Sequence, residues 1–529
     1  MSRSKTLILL LMIFLVSGCS PAAAPPRVIT QVVTAVAPAL VVTATETPLP
    51  VATPSPTLPP LRTPEVRETL PAEGVVNFKI LHWNDFHGYL GEDNVYDTWV
   101  PGAARLAAFV NAEREQAGAD QTLVLDAGDW YEGSSSSYDS LGEKVWEFYH
   151  LLGVDAIVVG NHELFWGTPR FYRMVSQAPP IEILSVNMRR VSADKLCSEE
   201  RIVNPYKIFE LGSDSGPKVR VAVIGVSALN MEAYAPAPVH DVCFPNPVSE
   251  ILKLYDQLLA IEQPDVLVVL SHIGFEEDQE LAEALNAAGK PVDLIIGGHS
   301  HTWIETPAKV GETLVVTAGE WARAVGVFDL TYNRTTASLE TRWRQEIFTP
   351  CSPEDPATLN LLKDALPETK SKTPQCSAVR QPNADYLVDL TAVSATVGFW
   401  TLGQGEFPAS EAAMIIHQPI SSHEKTYPFG LFAHAPSNLQ YTLNGQYTRF
   451  ITEISLNQSA CGDGAQFAVS LDGKEIYHSP NLLPSTAPIA LDLDVSGGQR
   501  LKLETLPGPD VSCDWTIWGD PYLVKPPTP

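Results

Sequence analysis

Short apolar runs alternate with helical patterns through the first two thirds of the chain. Ala103–Gln116 carries Leu106, Phe109 and Val110 at helical spacing, and Leu141–Leu152 also has a helical pattern. Strands that are buried on both faces are almost continuously apolar, and helices usually join them, so the pattern predicts an α/β fold. The predicted strands are Asn77–Trp83, Thr122–Asp126, Ala156–Val159, Val219–Val226, Val266–Leu270 and Leu294–Ile296.

The pattern changes after about residue 380, where helical spacing fades and short alternating runs appear. Turn dipeptides, Asn444-Gly445 and Asp472-Gly473, separate some of these runs. Short alternating strands joined by such turns predict an all-β sandwich. The runs are Leu439–Leu443, Phe450–Leu456, Phe467–Leu471, Ile489–Val495 and Leu501–Leu503.

The chain begins with the pattern of an export signal. Positive charge at Arg3 and Lys5 precedes an apolar run, Leu7–Val16, which is shorter than the about 20 residues that a membrane helix needs. The run leads into Val16-Ser17-Gly18-Cys19, which resembles the lipobox of bacterial lipoproteins. That resemblance implies a lipid on Cys19 and an exported, membrane-anchored protein on the extracytoplasmic side. The alternative is an ordinary cleaved signal peptide; both interpretations imply export.

Composition shifts divide the rest of the chain. Residues 20–75 are rich in Pro, Thr, Ala and Val and hold no sustained pattern, so we predict a disordered linker. The predicted divisions are a signal peptide at 1–19, the linker at 20–75, an α/β domain at 76–348, a connector at 349–392 and a β-sandwich at 393–529.

The formal net charge of −27 argues against binding to a nucleic acid polymer, whose phosphates the protein would repel. A small phosphate ester could still bind where the local charge is reversed. Bound metal ions would reverse it.

Of the seven cysteines, Cys19 belongs to the signal, and the other six form an even set. Thiols outside the cytosol usually form disulfides, and no CxxC spacing indicates a thiolate metal site. Six cysteines allow fifteen connectivities. We favour sequential pairing because each pair then stays within one predicted part of the chain, which gives Cys197/Cys243, Cys351/Cys376 and Cys461/Cys513.

Polar side chains follow five predicted strands at the points where the strands end. Ligands of open α/β sheets bind at the carboxyl ends of parallel strands, so these side chains are expected to converge. Asp, Asn and His suit Zn, Mn or similar divalent ions. Seven ligands exceed what one catalytic ion with an open position needs, but they fit two ions that share a bridging carboxylate. The candidates are Asp85, His87, Asp129, Asn161, His272, His299 and His301.

Each of these pieces taken alone is open to an ordinary structural interpretation. Asp85-Phe86-His87 could be a plain turn, and Asn161 could cap a helix. The joint order of five pieces, each at a strand end, favours the metal site.

The region from Lys79 to about Thr331 resembles the calcineurin-like metallophosphatases, and within them the 5′-nucleotidase group. The resemblance rests on ILHWNDFHG, LVLDAGDWYEGS, GVDAIVVGNHEL, LSHIG and DLIIGGHSHT. It implies an αββα architecture, in which a metallophosphatase-type β-sandwich is flanked by helices. It also implies a first ion held by Asp85, His87, Asp129 and His301, and a second held by Asp129, Asn161, His272 and His299.

The same resemblance implies that His162 stabilises charge on the phosphate or protonates the leaving oxygen. An acid normally orients this histidine, and the nucleotidase pattern has an aspartate three residues after it, where this chain has Phe165. We hypothesise that Glu132 orients His162 instead. Glu163 is the other candidate, although adjacent side chains at a helix start point apart. The alternative for Glu132 is a solvated loop carboxylate.

Tyr427 to Leu523 resembles the NPCBM-type carbohydrate-binding modules, which are galactose-binding-like β-sandwiches. The matching stretches include FGLFAHAPSNLQYTLNGQYTRF, FAVSLDGKEIYHS and DWTIWGDPYLV. Trp400, Trp515 and Trp518 could stack on sugars or lie buried in packing. The base-binding C-terminal domain of the nucleotidases is not recognisable, which leaves nucleotide specificity open.

These observations predict an extracellular phosphoesterase that uses two divalent metal ions, with nucleotides as the default substrate in a 5′-nucleotidase or cyclic phosphodiesterase reaction. One alternative is a phosphatase acting on sugar phosphates or glycans. Another is a non-catalytic carbohydrate-binding surface lipoprotein, which the complete ligand set disfavours. The expected partners are a small phosphate ester, a glycan at the C-terminal domain and the membrane at Cys19, but no nucleic acid polymer.

Overall fold

The computed structural model describes residues 70–526, apart from residues 72, 96–97, 214, 230, 232–238, 365–379, 409–417, 424 and 458–461. The predicted signal peptide, Cys19 and most of the predicted linker lie outside the described residues. No helix within the described part of the chain has the length and apolar character to span a membrane.

Strands and helices alternate in the first domain, as the apolar pattern predicts. The strands are β1 Val75–Trp83, β2 Asp93–Val95, β3 Thr98–Val100, β4 Thr122–Asp126, β5 Ala156–Val158, β6 Glu182–Leu184, β7 Arg189–Val191, β8 Cys197–Arg201, β9 Tyr206–Leu211, β10 Val219–Ser227, β11 Val242–Cys243, β12 Val266–His272, β13 Leu294–Ile296, β14 Ala308–Val310, β15 Thr313–Val316, β16 Ala324–Asn333 and β17 Ser338–Ile347. The α-helices are α1 Ala103–Ala117, α2 Ser135–Ser140, α3 Glu143–Leu152, α4 Thr168–Gln177, α5 Pro247–Glu262, α6 Phe275–Ala287 and α7 Pro356–Leu362.

Twelve of these strands build two six-stranded sheets. The first has the order β17-β16-β1-β4-β5-β6, and the second has the order β14-β15-β13-β12-β10-β9. Strands β1, β4, β5 and β6 are parallel, and so are β10, β12, β13 and β15. Each sheet therefore brings the carboxyl ends of its parallel strands to one edge, where the polar loops follow.

Apolar side chains fill three layers of the first domain. Ile80, Leu125 and Val158 of the first sheet share one core with Val223 and Leu270 of the second. A second core lies between the first sheet and helices α1, α3 and α4, and a third lies between the second sheet and helices α5 and α6. The domain is thus a β-sandwich flanked by helices, the predicted αββα architecture.

The second domain is an all-β sandwich, as predicted. Its strands are β18 Ala384–Tyr386, β19 Ser394–Thr396, β20 Gly403–Gln404, β21 Ser421–Ser422, β22 Lys425–Thr426, β23 Leu431–Phe432, β24 Ser437–Thr442, β25 Arg449–Leu456, β26 Ala465–Leu471, β27 Lys474–His478, β28 Ile489–Asp494, β29 Arg500–Pro507 and β30 Thr516–Val524. One sheet has the order β20-β23-β30-β25-β28, and the other β19-β24-β29-β26-β27. β18 pairs with β30, so the sandwich begins inside the stretch at 349–392 that was expected to be a connector.

Both predicted turn dipeptides adopt left-handed backbone conformations. Asp472-Gly473 joins β26 to β27 in a hairpin. Asn444-Gly445 instead leads from β24 to β25, which lie in opposite sheets. The dipeptide predicts a tight turn in both places, but it does not predict whether the two strands that it joins pair with each other.

Cys197 and Cys243 form the first of the predicted disulfides. The bond connects β8 to β11, the two outer strands of a small sheet in which β7 is the central strand. Cys351 and Cys513 are also disulfide-bonded. Cys376 and Cys461 lie outside the described residues, so those two pairings stay predictions.

Replacing both Cys197 and Cys243 with alanine is expected to lower the free energy of unfolding by about 2–4 kcal/mol. Without the cross-link, the unfolded chain regains the conformational freedom that the closed loop removes. Urea denaturation followed by tryptophan fluorescence measures this cost. The double variant is preferable to a reductant, which would act on every disulfide. An unchanged urea midpoint would contradict a stabilising role.

Candidate metal centre

All seven residues predicted as metal ligands lie at the carboxyl ends of central strands. Asp85 and His87 follow β1, Asp129 follows β4 and Asn161 follows β5. On the second sheet, His272 is the last residue of β12, and His299 and His301 follow β13. The structure brings the two sheet edges together, so that ligand-type side chains from both sheets meet.

The backbone at five of these seven positions is left-handed. Their φ values are 50° at Asp85, 50° at His87, 55° at Asp129, 78° at His299 and 52° at His301. A positive φ is uncommon for residues other than glycine and costs free energy unless the surroundings enforce it. Such a concentration of strained residues in one place is typical of a functional site, and it is independent of any side-chain chemistry.

One group of side chains consists of Asp85, His87 and His301, whose ligand atoms all lie within 4.8 Å of one another. The Nε2 atoms of His87 and His301 are 3.2 Å apart, and Nε2 of His301 lies 3.3 Å from Oδ1 of Asp85. The Nδ1–H of His87 donates to the backbone carbonyl of Glu132 at 2.7 Å, which leaves its Nε2 lone pair directed into the group.

A second group consists of Asp129, His272 and His299, also within 4.8 Å of one another. Nε2 of His272 lies 3.0 Å from Oδ2 of Asp129, while its Nδ1–H donates to the carbonyl of Ala127 at 2.6 Å. Nδ1 of His299 lies 2.8 Å from Oδ1 of Asn161. Asp129 also belongs to a third group with His87 and His162, which connects the first two.

These contacts suit a bound cation. His272 donates its Nδ1–H to Ala127, so its buried Nε2 points at Oδ2 of Asp129, a position that a proton or a metal ion can occupy. Two imidazole nitrogens also face each other in the first group. Lone pairs and carboxylates repel one another unless positive charge lies between them, and divalent metal ions prefer these donor types.

The charged state of the residues fits the same interpretation. Burial raises the pKa of Asp129, but His272, His162 and His87 outweigh burial and hold that pKa well below its ordinary value. Burial lowers the pKa of His272, but the Asp129 carboxylate overcomes this and raises it to about 10, so without an ion Nε2 holds a proton at the position where a cation would bind. Burial is also the main cause that lowers the pKa of His87 and of His299, which favours the neutral imidazole that binds metals.

Glycine allows the loops to approach this closely. A Cβ atom at Gly160 would lie 2.3 Å from Oδ1 of Asp129, and one at Gly128 would lie 2.6 Å from Nδ1 of His272. Both distances are shorter than any normal contact. The Gly-Asp and Gly-Asn-His pieces therefore carry their glycines for steric reasons.

His162 lies at the open side of the centre and contacts the acid hypothesised to orient it. Its Nδ1 contacts Oε2 of Glu132, and its Nε2 lies 3.9 Å from Oδ2 of Asp129. The His162 side chain is 32% exposed, whereas that of Glu132 is 4% exposed, so Glu132 is not a solvated loop carboxylate. Burial lowers the pKa of His162, but Glu132 and Asp129 raise it above its ordinary value.

Glu163 does not orient His162. Its Oε2 accepts hydrogen bonds from the backbone N–H groups of Gly160 and Asp129, and its Oε1 accepts one from Trp130. The buried carboxylate thereby ties the loop after β5 to the loop after β4. It is a positioning residue for Asp129 and Asn161.

Replacing Glu163 with alanine is expected to lower the free energy of unfolding by about 3 kcal/mol or more, since three buried N–H groups lose their acceptor at about 1–3 kcal/mol each. Metal affinity should fall about 10- to 100-fold as the two loops separate. Thermal unfolding and bound-metal analysis measure the two effects. Glu280→Ala, at an exposed position of α6, is the matched control; equal behaviour of the two variants would contradict the assignment.

Three further residues that the sequence did not single out support the loops. Buried Asp126 accepts hydrogen bonds from Gly128, Trp83 and Tyr149. Asn84 donates to Oδ2 of Asp85 at 2.7 Å. The backbone N–H of Trp321 donates to the carbonyl of Asp85, and its ring packs against His301 and Tyr89. Asp126, in LVLDAGD, and Asn84, beside Asp85, were visible in the motifs, whereas no signal pointed to Trp321.

The tryptophans predicted as sugar-stacking candidates separate into two kinds. Trp518 is 0% exposed and packs edge-on against Phe467 inside the sandwich, so it cannot contact a ligand. Trp400 and Trp515 are half-buried neighbours with ring centroids 5.5 Å apart, beside the exposed Phe399. Only this pair remains available for stacking.

Family models match both domains. Residues 78–303 match the model described as calcineurin-like phosphoesterase, and residues 383–524 match the model described as NPCBM/NEW2 domain. The first domain is therefore similar to calcineurin-like phosphoesterases, and the second is similar to NPCBM/NEW2 domains. The first match supports metal-dependent phosphoric ester hydrolases as the enzyme class of the first domain.

Individual relatives agree with this class. The 5′-nucleotidase of Bos taurus is 29% identical over 245 residues, which are 45% of this chain and 40% of that protein. The snake venom 5′-nucleotidase of Gloydius brevicauda is 30% identical over 243 residues, which are 44% of this chain and 39% of that protein. The chain thus spans about two fifths of the length of these relatives. The 5′-nucleotidase precursor of Thermus thermophilus has a TM-score of 0.46 and 28% identity, covering 55% of this chain and 58% of that structure.

Proposed function

We propose that this chain is an extracytoplasmic phosphoesterase that uses two divalent metal ions to hydrolyse small phosphate esters, nucleotides among them. The observation that carries the proposal is the convergence of seven ligand-type residues from both sheets around Asp129. Asp129 connects two groups of three ligand-type residues, and this arrangement favours two metal ions over one. A single ion has no room for seven protein ligands and an open position.

The residues of the centre have different roles in the proposed hydrolysis. Bound divalent ions would supply positive charge to the phosphate oxygens, which an acidic protein otherwise repels. Asp129 connects the two groups, and Asn161 contacts His299 of the second group. His162 lies at the exposed side with its Nε2 towards the centre, where it can stabilise charge or give a proton to the leaving oxygen. Glu132 holds the other ring nitrogen and so fixes the orientation of the ring.

Hydrolysis of a substrate panel by the purified chain tests the proposal, with inorganic phosphate measured for the monoesters and the released nucleotide, sugar phosphate or nitrophenol measured for the others. The substrate panel comprises AMP, 2′,3′-cyclic AMP, UDP-glucose, bis-p-nitrophenyl phosphate and several sugar phosphates. We expect release that a chelator abolishes and that added Mn or Zn restores, with two metal ions per chain by elemental analysis. Metal-loaded protein that hydrolyses none of these substrates would overturn the proposal in favour of a non-catalytic surface protein.

A second candidate is a phosphatase for sugar phosphates or phosphorylated glycans. It is favoured by the NPCBM/NEW2 domain and by the half-buried Trp400–Trp515 pair on that domain. The same panel separates the two candidates. Glycan-array binding that Trp400→Ala removes would support a glycan partner for the second domain.

Export and lipid attachment at Cys19 are part of the proposal. They are supported by the sequence pattern around Leu7–Cys19 and by the Cys197–Cys243 disulfide, which is typical of oxidising compartments. Palmitate labelling of the full chain in a bacterial host tests them. We expect label in the membrane fraction and none in Cys19→Ala; equal labelling of both would contradict lipid attachment at this residue.

A further inference from the structure

Three aromatic side chains beside His162 form a partly exposed surface, here named the aromatic platform and defined by Tyr138, Phe165 and Trp166. Phe165 lies parallel to the His162 ring, with an interplanar angle of 3° and centroids 6.3 Å apart. Tyr138 stands edge-on to Phe165 and to Trp166, with centroids 5.9 Å away in each case. Tyr138 is 43% exposed, so one side of its ring is accessible from solvent.

Contacts with buried residues hold the rings of the aromatic platform in place. The Trp166 ring packs 4.9 Å from that of buried Tyr131, whose hydroxyl donates to the backbone carbonyl of Glu163. The Tyr138 hydroxyl is hydrogen-bonded to Glu132, which also contacts His162. The platform is therefore connected to the two loops that position Asp129 and His162, and its rings are held in place before any ligand binds.

The position of the platform decides what it can touch. The side chains of His162 and His301 in the centre are partly exposed, at 32% and 37%. The proposed function has His162 protonate the leaving oxygen, so the leaving group begins beside His162, whose Nε2 faces Asp129. Phe165 lies next to His162 and Tyr138 lies next to Phe165, so a leaving group that extends outward on this side would meet these two rings. Flat aromatic rings stack on such faces at favourable free energy, and stacking of this kind tolerates any base.

We propose that the aromatic platform binds the base of a nucleoside leaving group and so selects nucleotides over base-free phosphate esters. This inference rests on the proposed phosphoesterase function. It assigns to the first domain a specificity role that needs no residue of the second domain. It also gives a use to Phe165, which occupies the place of an acid in the nucleotidase pattern.

Comparison of AMP with ribose 5-phosphate tests the platform, because the two esters share the same linkage and differ in the base. The measured quantity is the ratio of kcat/KM for AMP to kcat/KM for ribose 5-phosphate, obtained with the metal-loaded full chain. We expect the wild-type ratio to favour AMP, and expect it to fall about 5- to 100-fold in Phe165→Leu and in Tyr138→Leu, as loss of one stacking ring implies.

Tyr138→Phe is the matched variant, since it keeps the ring and removes the hydroxyl that contacts Glu132. Its ratio should equal that of the wild type, even where both kcat/KM values fall. Equal losses on both substrates in the two leucine variants would overturn the platform and leave only a packing role. A wild-type enzyme that prefers ribose 5-phosphate would also overturn it.

A binding measurement separates failure of the platform from failure of the proposed function. Adenosine and ribose are titrated against each metal-loaded variant by calorimetry, which needs no turnover. Adenosine binding that weakens in both leucine variants supports the platform, even where no ester is hydrolysed. Absence of adenosine binding to the wild type overturns the platform. If AMP and ribose 5-phosphate are then hydrolysed at equal rates, the phosphoesterase function stands and only the platform fails.

Discussion

Replacing Asp129 with asparagine is expected to lower kcat/KM for phosphate release by about 1,000-fold, because the carboxylate shared by the two ligand groups loses its charge; removing one preorganised electrostatic group has an effect of this order. Asp129 connects the two ligand groups, and its carboxylate is the acceptor for the backbone N–H of His162 at 2.8 Å. Asparagine keeps the shape and tolerates the left-handed backbone at φ 55°, so the change removes charge with little strain.

Bound-metal analysis and a melting curve accompany the kinetic measurement for Asp129→Asn. We expect fewer metal ions per chain and a folded protein. Asp120→Asn, at an exposed position, is the matched control and should behave as the wild type. Full activity in Asp129→Asn would exclude this aspartate as the residue shared by two ions.

Removing the His162 imidazole is expected to lower kcat by about 100- to 10,000-fold on esters with poor leaving groups, since proton transfer then loses its donor. Glu132→Gln should cost less, about 10- to 100-fold, because the ring remains but is no longer held by a carboxylate. Both effects should shrink on p-nitrophenyl phosphate, whose leaving oxygen needs no proton. AMP and p-nitrophenyl phosphate therefore form the informative pair of substrates.

The dependence of the kcat loss on the leaving group distinguishes a role of Glu132 in positioning His162 from a general loss of protein stability. A merely structural role of Glu132 would lower kcat on both substrates alike and would lower the melting temperature as well. If Glu132→Gln matched the wild type on AMP while His162→Ala was inactive, the orienting role of Glu132 would be wrong. The contact between Nδ1 of His162 and Oε2 of Glu132 is the geometry that this role requires.

The ligand residues could be predicted because each stands directly after a strand that the apolar pattern identifies. β4 and β13 have the predicted bounds, and Asp129 and His299 follow them within three residues. The apolar pattern of a strand reflects local burial and so fixes where the strand ends. The loop that follows begins at that end, and its position in the sequence is therefore known as well. Local pattern therefore locates Asp129 and His299 without knowledge of the pairing.

Pairing itself was beyond the local pattern. β6 and β10 are both apolar strands, yet β6 belongs to the first sheet and β10 to the second. Nothing in the burial pattern of a single strand records its neighbour, and the two-sheet arrangement came only from the resemblance to metallophosphatases. The same limit applies to Trp518 and Trp321, since stacking in a core or near a histidine depends on residues far along the chain.

Strand β1 has its two neighbours at very different distances along the chain. It lies between β4 and β16, and in the second pairing Val75 is opposite Asn333. Contacts so remote in sequence form late and slowly during folding. Each predicted ligand precedes residue 302, but the strand that closes the sheet beside β1 begins only at Ala324. A chain that ends near residue 310 would thus contain every ligand but leave β1 without its β16 neighbour, and we expect such a chain to bind metal more weakly than the complete first domain.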